Sequence, residues 1–152
     1  MIYRSTSTKD TMRIAKDFAE ELKPGRVIGL KGNLGTGKTQ FVKGICEHFK
    51  VKEVVNSPTF ILVNEYEGTD IDKKHFKIYH FDLYRINSAA ELSVIGFDEY
   101  INKNSLVLIE WPELAAKYLS RVLETISFDY GNADDERVIE INLQVINLCG
   151  EQ

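Results

Sequence analysis

Apolar residues recur near the start of the chain with the period of a helix. Met12, Ala15, Ala19 and Leu22 fall on one stripe with Ile14 and Phe18 beside it, which predicts a helix over residues 8–22. Thr8 is the expected N-cap and Pro24-Gly25 the stop. Residues 26–31 (Arg-Val-Ile-Gly-Leu-Lys) read as a short apolar strand. A glycine-rich stretch, 32–37, separates it from renewed helical spacing over 38–49 through Phe41, Val42, Ile45 and Phe49. Residues 60–66 and 76–81 are β-branched and aromatic and predict two strands, with the polar 68–74 as a hairpin loop between them. Residues 89–95 and 113–119 read as short helices. Residues 105–110 (Ser-Leu-Val-Leu-Ile-Glu) hold four consecutive apolar side chains, the pattern of a strand buried on both faces. Residues 122–128 and 137–143 alternate like a closing antiparallel hairpin across a polar turn at 131–136. Strands mixed with helices around one parallel-type strand predict an α/β domain.

Composition narrows the class only slightly. The chain has 152 residues, 43% hydrophobic and 28% charged, which excludes a disordered or collagen-like chain. Residues 1–152 are expected to form a single domain. No run of about 18 apolar residues predicts a membrane span, and Met1-Ile2-Tyr3-Arg4-Ser5-Thr6 lacks the apolar segment of a secretory signal. Cys46 and Cys149 lie far apart without metal-ligand spacing and read as free thiols in a reducing compartment. Charge is uneven: residues 1–50 carry 10 Lys+Arg against 5 Asp+Glu, residues 51–100 carry 5 against 9, and residues 101–152 carry 4 against 9. The basic first third either serves an anionic ligand or decorates two exposed helix faces. The acidic remainder argues against a broad nucleic-acid-binding face.

Candidate chemistry begins at Gly32-Asn33-Leu34-Gly35-Thr36-Gly37-Lys38-Thr39, with Gln40 next in line. This matches G-x-x-x-x-G-K-[ST] in full, follows a predicted strand and opens a predicted helix. Glycines let backbone N–H groups converge on phosphate oxygens, and the helix N-terminus adds free donors and partial positive charge. In such a loop Lys38 reaches the β- and γ-phosphates and the Thr39 hydroxyl ligates Mg²⁺. The metal site needs an acid at the carboxyl end of a neighbouring buried strand, and Glu110 directly follows Leu106-Val107-Leu108-Ile109.

Asp82, in His80-Phe81-Asp82-Leu83-Tyr84-Arg85, is a second acidic candidate. It orients an attacking water, supports the metal shell, or caps the following turn while His80 and Tyr84 pack. His80-x-Asp82 has metal-pair spacing but no third ligand beside it. In Asn56-Ser57-Pro58-Thr59-Phe60, Ser57 and Thr59 either bring hydroxyls to the phosphates or form an ordinary Ser-Pro turn. Trp111, before Pro112, shields the site, touches a partner, or is a structural aromatic.

Taken together and in order, the phosphate loop, Ser57-Pro58-Thr59-Phe60, His80-Phe81-Asp82-Leu83-Tyr84-Arg85, Glu91-Leu92, Gly96-Phe97 and Glu110-Trp111-Pro112 resemble the TsaE (YjeE) family over about residues 5–130. The resemblance implies a P-loop NTPase-like mixed β-sheet flanked by helices in three layers; the C-terminal antiparallel hairpin that completes it rests on the alternating pattern of 122–128 and 137–143. It implies an ATPase with Asp82, Lys38 and Thr59 in the catalytic set. Asn33, Leu34, Gly35, Thr36, Gly37, Lys38, Thr39 and Gln40 would hold ATP, with Thr8 (in the stretch of Ser7 and Thr11) on the adenine side and Trp111 beside the site. Thr39 and Glu110 would ligate Mg²⁺. The implied role is supportive: a cytoplasmic ATPase, slow alone, that sustains a TsaB–TsaD-like pair in making tRNA threonylcarbamoyladenosine (t6A), touching tRNA only indirectly. A small-molecule P-loop kinase and a non-catalytic nucleotide-gated module are the competing readings. Residues 96–152 hold only Arg121 and Arg137, few for a kinase lid, and Arg85 is the nearest candidate for an arginine finger in cis.

Overall fold

The computed structural model describes residues 1–118 and 123–146. The elements are β1 (Ile2–Ser5), α1 (Thr8–Ala19), β2 (Val27–Lys31), α2 (Lys38–His48), β3 (Val63–Thr69), β4 (His75–Asp82), α3 (Ala89–Val94), α4 (Phe97–Tyr100), β5 (Ser105–Glu110), α5 (Glu113–Tyr118), β6 (Leu123–Tyr130) and β7 (Arg137–Ile146). The strands form one mixed sheet in the order β1-β7-β6-β2-β5-β4-β3. Its centre is parallel: β2 lies between β6 and β5, and β4 follows β5. Both margins are antiparallel, β3 on β4 at one side, β7 on β6 and β1 on β7 at the other.

Alternation along the strands builds a core on each face. Ile28, Leu30, Ile78, Leu106 and Leu108 point to the side covered by α1 and α2, where Ile14, Phe18, Phe41, Val42 and Ile45 complete the cluster. Val27, Phe81, Val107 and Ile109 point to the other side, against Leu92, Phe97 and Ala115 of the short helices. The result is the expected α/β sheet between two helical layers. Every residue of β5 is buried, as its unbroken apolar run predicts. Among the described residues, no helix is long and apolar enough to cross a membrane.

Several local expectations need correction. Ser7, not Thr8, caps α1: Ser7 is extended at φ −161°, and its hydroxyl accepts the Asp10 N–H at 3.0 Å. The Asp10 carboxylate also accepts the Thr6 N–H at 3.1 Å, so the acid three residues after Ser7 ties down the residue before the cap. α1 ends at Ala19, and the next bonds tighten to three-residue spacing (Glu21 N–H to Phe18 O, Leu22 N–H to Ala19 O).

The strand expected over 60–66 starts only at Val63, opposite Phe81. Before it the chain turns, with the Leu62 N–H on Pro58 O at 2.8 Å and Leu62 at φ 74°. Phe60 and Ile61 lie 84% and 67% exposed, because β4 ends at Asp82 and offers them no partner. β3 also continues to Thr69, which shortens the hairpin turn; Asp70 Oδ1 accepts the N–H groups of Asp72 and Lys74 there. β1 and α4 carry too few apolar residues to have been read from the pattern. Leu119, Val122 and Cys149 lie outside the described residues.

Cys46 is buried on α2, and burial pushes its thiol up to about 12. Only thiolate reacts with alkylating reagents. Iodoacetamide at pH 8 is therefore expected to leave Cys46 unmodified in the folded protein and to label it in urea, as read by peptide mass mapping. Labelling of Cys46 in the folded chain at the rate of a free thiol would contradict this burial.

Candidate functional site

The parallel strands end together. The register aligns Leu30 of β2 with Glu110 of β5, and Glu110 with Asp82 of β4. The Trp111 N–H on Leu30 O (3.3 Å) and the Leu83 N–H on Glu110 O (3.1 Å) hold these ends in line. In an open parallel sheet this edge is where loops build a binding crevice.

The glycine-rich loop leaves β2 at this edge and enters α2 through Gly37, whose φ of 98° is left-handed. Gly37 makes no side-chain cap, so the first N–H groups of α2 have no side-chain cap from it. Lys38 is buried, and its ammonium donates to Gly32 O and, at 3.3 Å, to Asn33 O. Its Nζ also sits 4.0 Å from the centroid of the Trp111 ring. Burial holds the Lys38 pKa below its ordinary value, partly offset by the charges of Glu110, Asp82 and Glu113.

Facing the loop, Thr39 donates its hydroxyl to Glu110 Oε1 at 2.8 Å. Glu110 is 2% exposed. Burial alone would raise its pKa; the His80 ring, the Thr39 hydroxyl and the Lys38 charge outweigh it and hold the carboxyl below its ordinary value. His80 Nε2 stands 3.4 Å from Glu110 Oε2. Asp82 lies beside Glu110, caps the following turn and lines the cleft. Its Oδ1 accepts the Tyr84 N–H at 3.0 Å, a turn cap, while its Oδ2 accepts the hydroxyls of Ser57 (2.9 Å) and Thr59 (3.3 Å) and faces the cleft. Ser57 also reaches Glu110 Oε2 at 3.5 Å.

These groups border a cleft of about 510 Å³, lined by Thr8, Leu34, Gly35, Gly37, Lys38, Thr39, Gln40, Thr59, Asp82, Glu110 and Trp111 among the expected residues, with Ser7, Thr11 and Ser57 beside them. Three expected residues, Asn33, Thr36 and Arg85, do not line it. Thr36 is buried and donates its hydroxyl to Asn33 O at 2.7 Å, so both brace the loop from behind. The Arg85 guanidinium lies 4.4 Å from the Phe60 ring centroid. Trp111 has a left-handed backbone (φ 57°), which sets its ring between Lys38 and Tyr84, 4.9 Å from the latter's ring. Sequence reasoning missed Asp135 and Arg137, which also line the cleft. They stand in the polar turn and first strand residue of the last hairpin, where no local motif marks them.

The donor set suits a nucleotide phosphate with a hard cation. Two buried carboxylates face one buried ammonium, and Thr39 and Glu110 present oxygens side by side, as a Mg²⁺ site with one carboxylate requires.

Residues 5–139 match the family model of "Threonylcarbamoyl adenosine biosynthesis protein TsaE". The tRNA threonylcarbamoyladenosine biosynthesis protein TsaE of Rickettsia typhi is 39% identical over 142 residues, covering 93% of this chain and 84% of the relative. The Bacillus subtilis protein of the same name is 36% identical over 137 residues, covering 90% and 82%. The crystal structure of Bacillus subtilis YdiB superposes with a TM-score of 0.73 at 31% identity, covering 98% of this chain and 90% of that one. The loop, the acids at the strand ends and this likeness along nearly the whole chain agree: the chain belongs to the TsaE family of tRNA threonylcarbamoyladenosine biosynthesis proteins.

Proposed function

We propose that this chain, residues 1–152 as one domain, is a Mg²⁺-dependent ATPase of the cytoplasm that sustains turnover of a TsaB–TsaD-like pair in t6A formation. The observation that carries the reading is the convergence on one cleft of the phosphate loop, the Thr39–Glu110 pair and Asp82. The preference for ATP over GTP and the identity of the partners rest on the family resemblance.

In this reading the loop N–H groups and Lys38 bind the phosphates, and Thr39 and Glu110 hold Mg²⁺. When bound, the cation neutralises charge on the β- and γ-oxygens. Asp82 accepts the proton of the attacking water as its oxygen bonds to the γ-phosphorus and the bond to the ADP oxygen breaks. Ser57 and Thr59 hold the Asp82 carboxylate toward the cleft. Trp111 packs over Lys38 and limits water at its ammonium. Hydrolysis alone is slow because the described residues bring no arginine other than Arg137 to the cleft, and Arg137 is engaged with backbone carbonyls.

The test is phosphate release from ATP with Mg²⁺, alone and with a purified TsaB–TsaD-like pair, together with t6A formed on unmodified tRNA. Expected are slow release alone, stimulation of about tenfold or more by the pair, and multiple-turnover t6A only with this chain present. Binding of ATP without turnover under any condition would favour a nucleotide-gated module. Phosphate transfer to a nucleoside or sugar would favour a kinase.

A further inference from the structure

A trans peptide carries its N–H opposite its C=O, so a loop that turns N–H groups toward an anion turns carbonyls away from it. Those carbonyls then need donors of their own. From Gly32 to Gly35 each has a side-chain donor. Gly32 O and Asn33 O are served within the motif, by Lys38 and by Thr36 with Lys38. Leu34 O accepts the Tyr130 hydroxyl, and Gly35 O accepts Arg137 Nε at 3.3 Å.

These last two donors come from the hairpin of β6 and β7. Arg137 is itself fixed: Nη1 donates to Asp134 O at 2.6 Å and Glu136 O at 2.9 Å, and the guanidinium lies 5.1 Å from the Tyr130 ring centroid. The same hairpin closes on the start of the loop, since a Cβ on Gly32 would stand 2.7 Å from the Phe128 carbonyl oxygen. Phe128, Tyr130 and Arg137 thus follow the loop from Gly32 to Gly35.

We propose that Tyr130 and Arg137 are positioning residues for phosphate binding. Tethering Leu34 O turns the Gly35 N–H toward the cleft. Tethering Gly35 O restrains the next peptide, whose Thr36 N–H closes a turn on Asn33 O at 3.3 Å. The crest of the loop is thereby held in its phosphate-ready shape by side chains outside the motif. This inference rests on the reading of the cleft as a nucleotide site.

The test compares wild type, Tyr130→Phe, Arg137→Met and Arg137→Lys for binding of ATP, ADP and inorganic tripolyphosphate, by calorimetry with Mg²⁺. Tyr130 is 55% exposed, so removing its hydroxyl leaves the fold intact, which thermal unfolding checks. Loss of one such hydrogen bond is expected to weaken all three ligands by a common factor of about three to ten. Arg137→Met should match it, with partial rescue in Arg137→Lys. Unchanged affinities in both Tyr130→Phe and Arg137→Met overturn the proposal. So does weaker nucleotide binding with tripolyphosphate unaffected, which would make these residues base contacts. So does a fall in melting temperature with no loss of affinity, the mark of a merely structural role. Wild-type protein that binds none of the three would instead overturn the nucleotide reading, and this inference with it.

Discussion

Asp82→Asn is expected to lower phosphate release by about 10²–10⁴-fold while ATP affinity changes by less than about threefold. Asparagine keeps the shape of the side chain and its acceptor for the Tyr84 N–H, so the turn after β4 survives. Where the carboxylate accepts from Ser57 and Thr59 the amide presents an NH2, which donates to the same hydroxyls once they rotate, so that loop stays near the cleft. What it removes is the basic carboxylate. The chain has a single tryptophan, Trp111, beside Lys38, so a nucleotide entering the cleft is expected to change its fluorescence without a label. Single-turnover hydrolysis and fluorescence titration therefore separate chemistry from binding. Unchanged turnover in the variant would confine Asp82 to capping.

Phe41→Ala is expected to cost about 3–5 kcal/mol of folding stability, read as a lower urea midpoint by circular dichroism. Phe41 is fully buried on the first turn of α2. Its ring meets Phe128 of β6 edge-on at 5.3 Å and Phe18 of α1 at 5.8 Å, so one cavity would open among three elements. Natural domains have about 5–15 kcal/mol in total, so this single change should bring the protein close to unfolding. A loss below about 1 kcal/mol would mean that α1 collapses onto the gap.

The core of the sheet was legible because burial on two faces leaves an unambiguous mark. The run Leu106-Val107-Leu108-Ile109 has no other comfortable home, and β5 takes it. The phosphate loop was legible because its chemistry is local: glycines, lysine and threonine fall within eight residues. Phe60 and Ile61 misled because strand propensity reports a fit to a half-buried surface, and the neighbouring strand stops one residue short of them. Thr8 misled because several hydroxyls stand at the start of α1, and the choice depends on which of them accepts the Asp10 N–H. Tyr130, Asp135 and Arg137 were invisible for a different reason. Their relation to the loop is made by pairing β6 beside β2, and nothing near them in the chain announces that neighbour.

The placement of β2 also bears on how the protein comes into being. Its two neighbours, β5 and β6, are both synthesised after it, and Ile2 of β1 waits for Glu140 of β7. Parallel and end-to-end pairings of this kind are formed only after long stretches of chain have been closed into loops, which makes them late and slow. The cleft around the phosphate motif is therefore assembled only in the finished chain. During synthesis the motif emerges as a loop and a helix without the acids of β4 and β5 or the clasp of the last hairpin, so any ligand that needs the whole cleft adds its binding free energy to completed molecules alone.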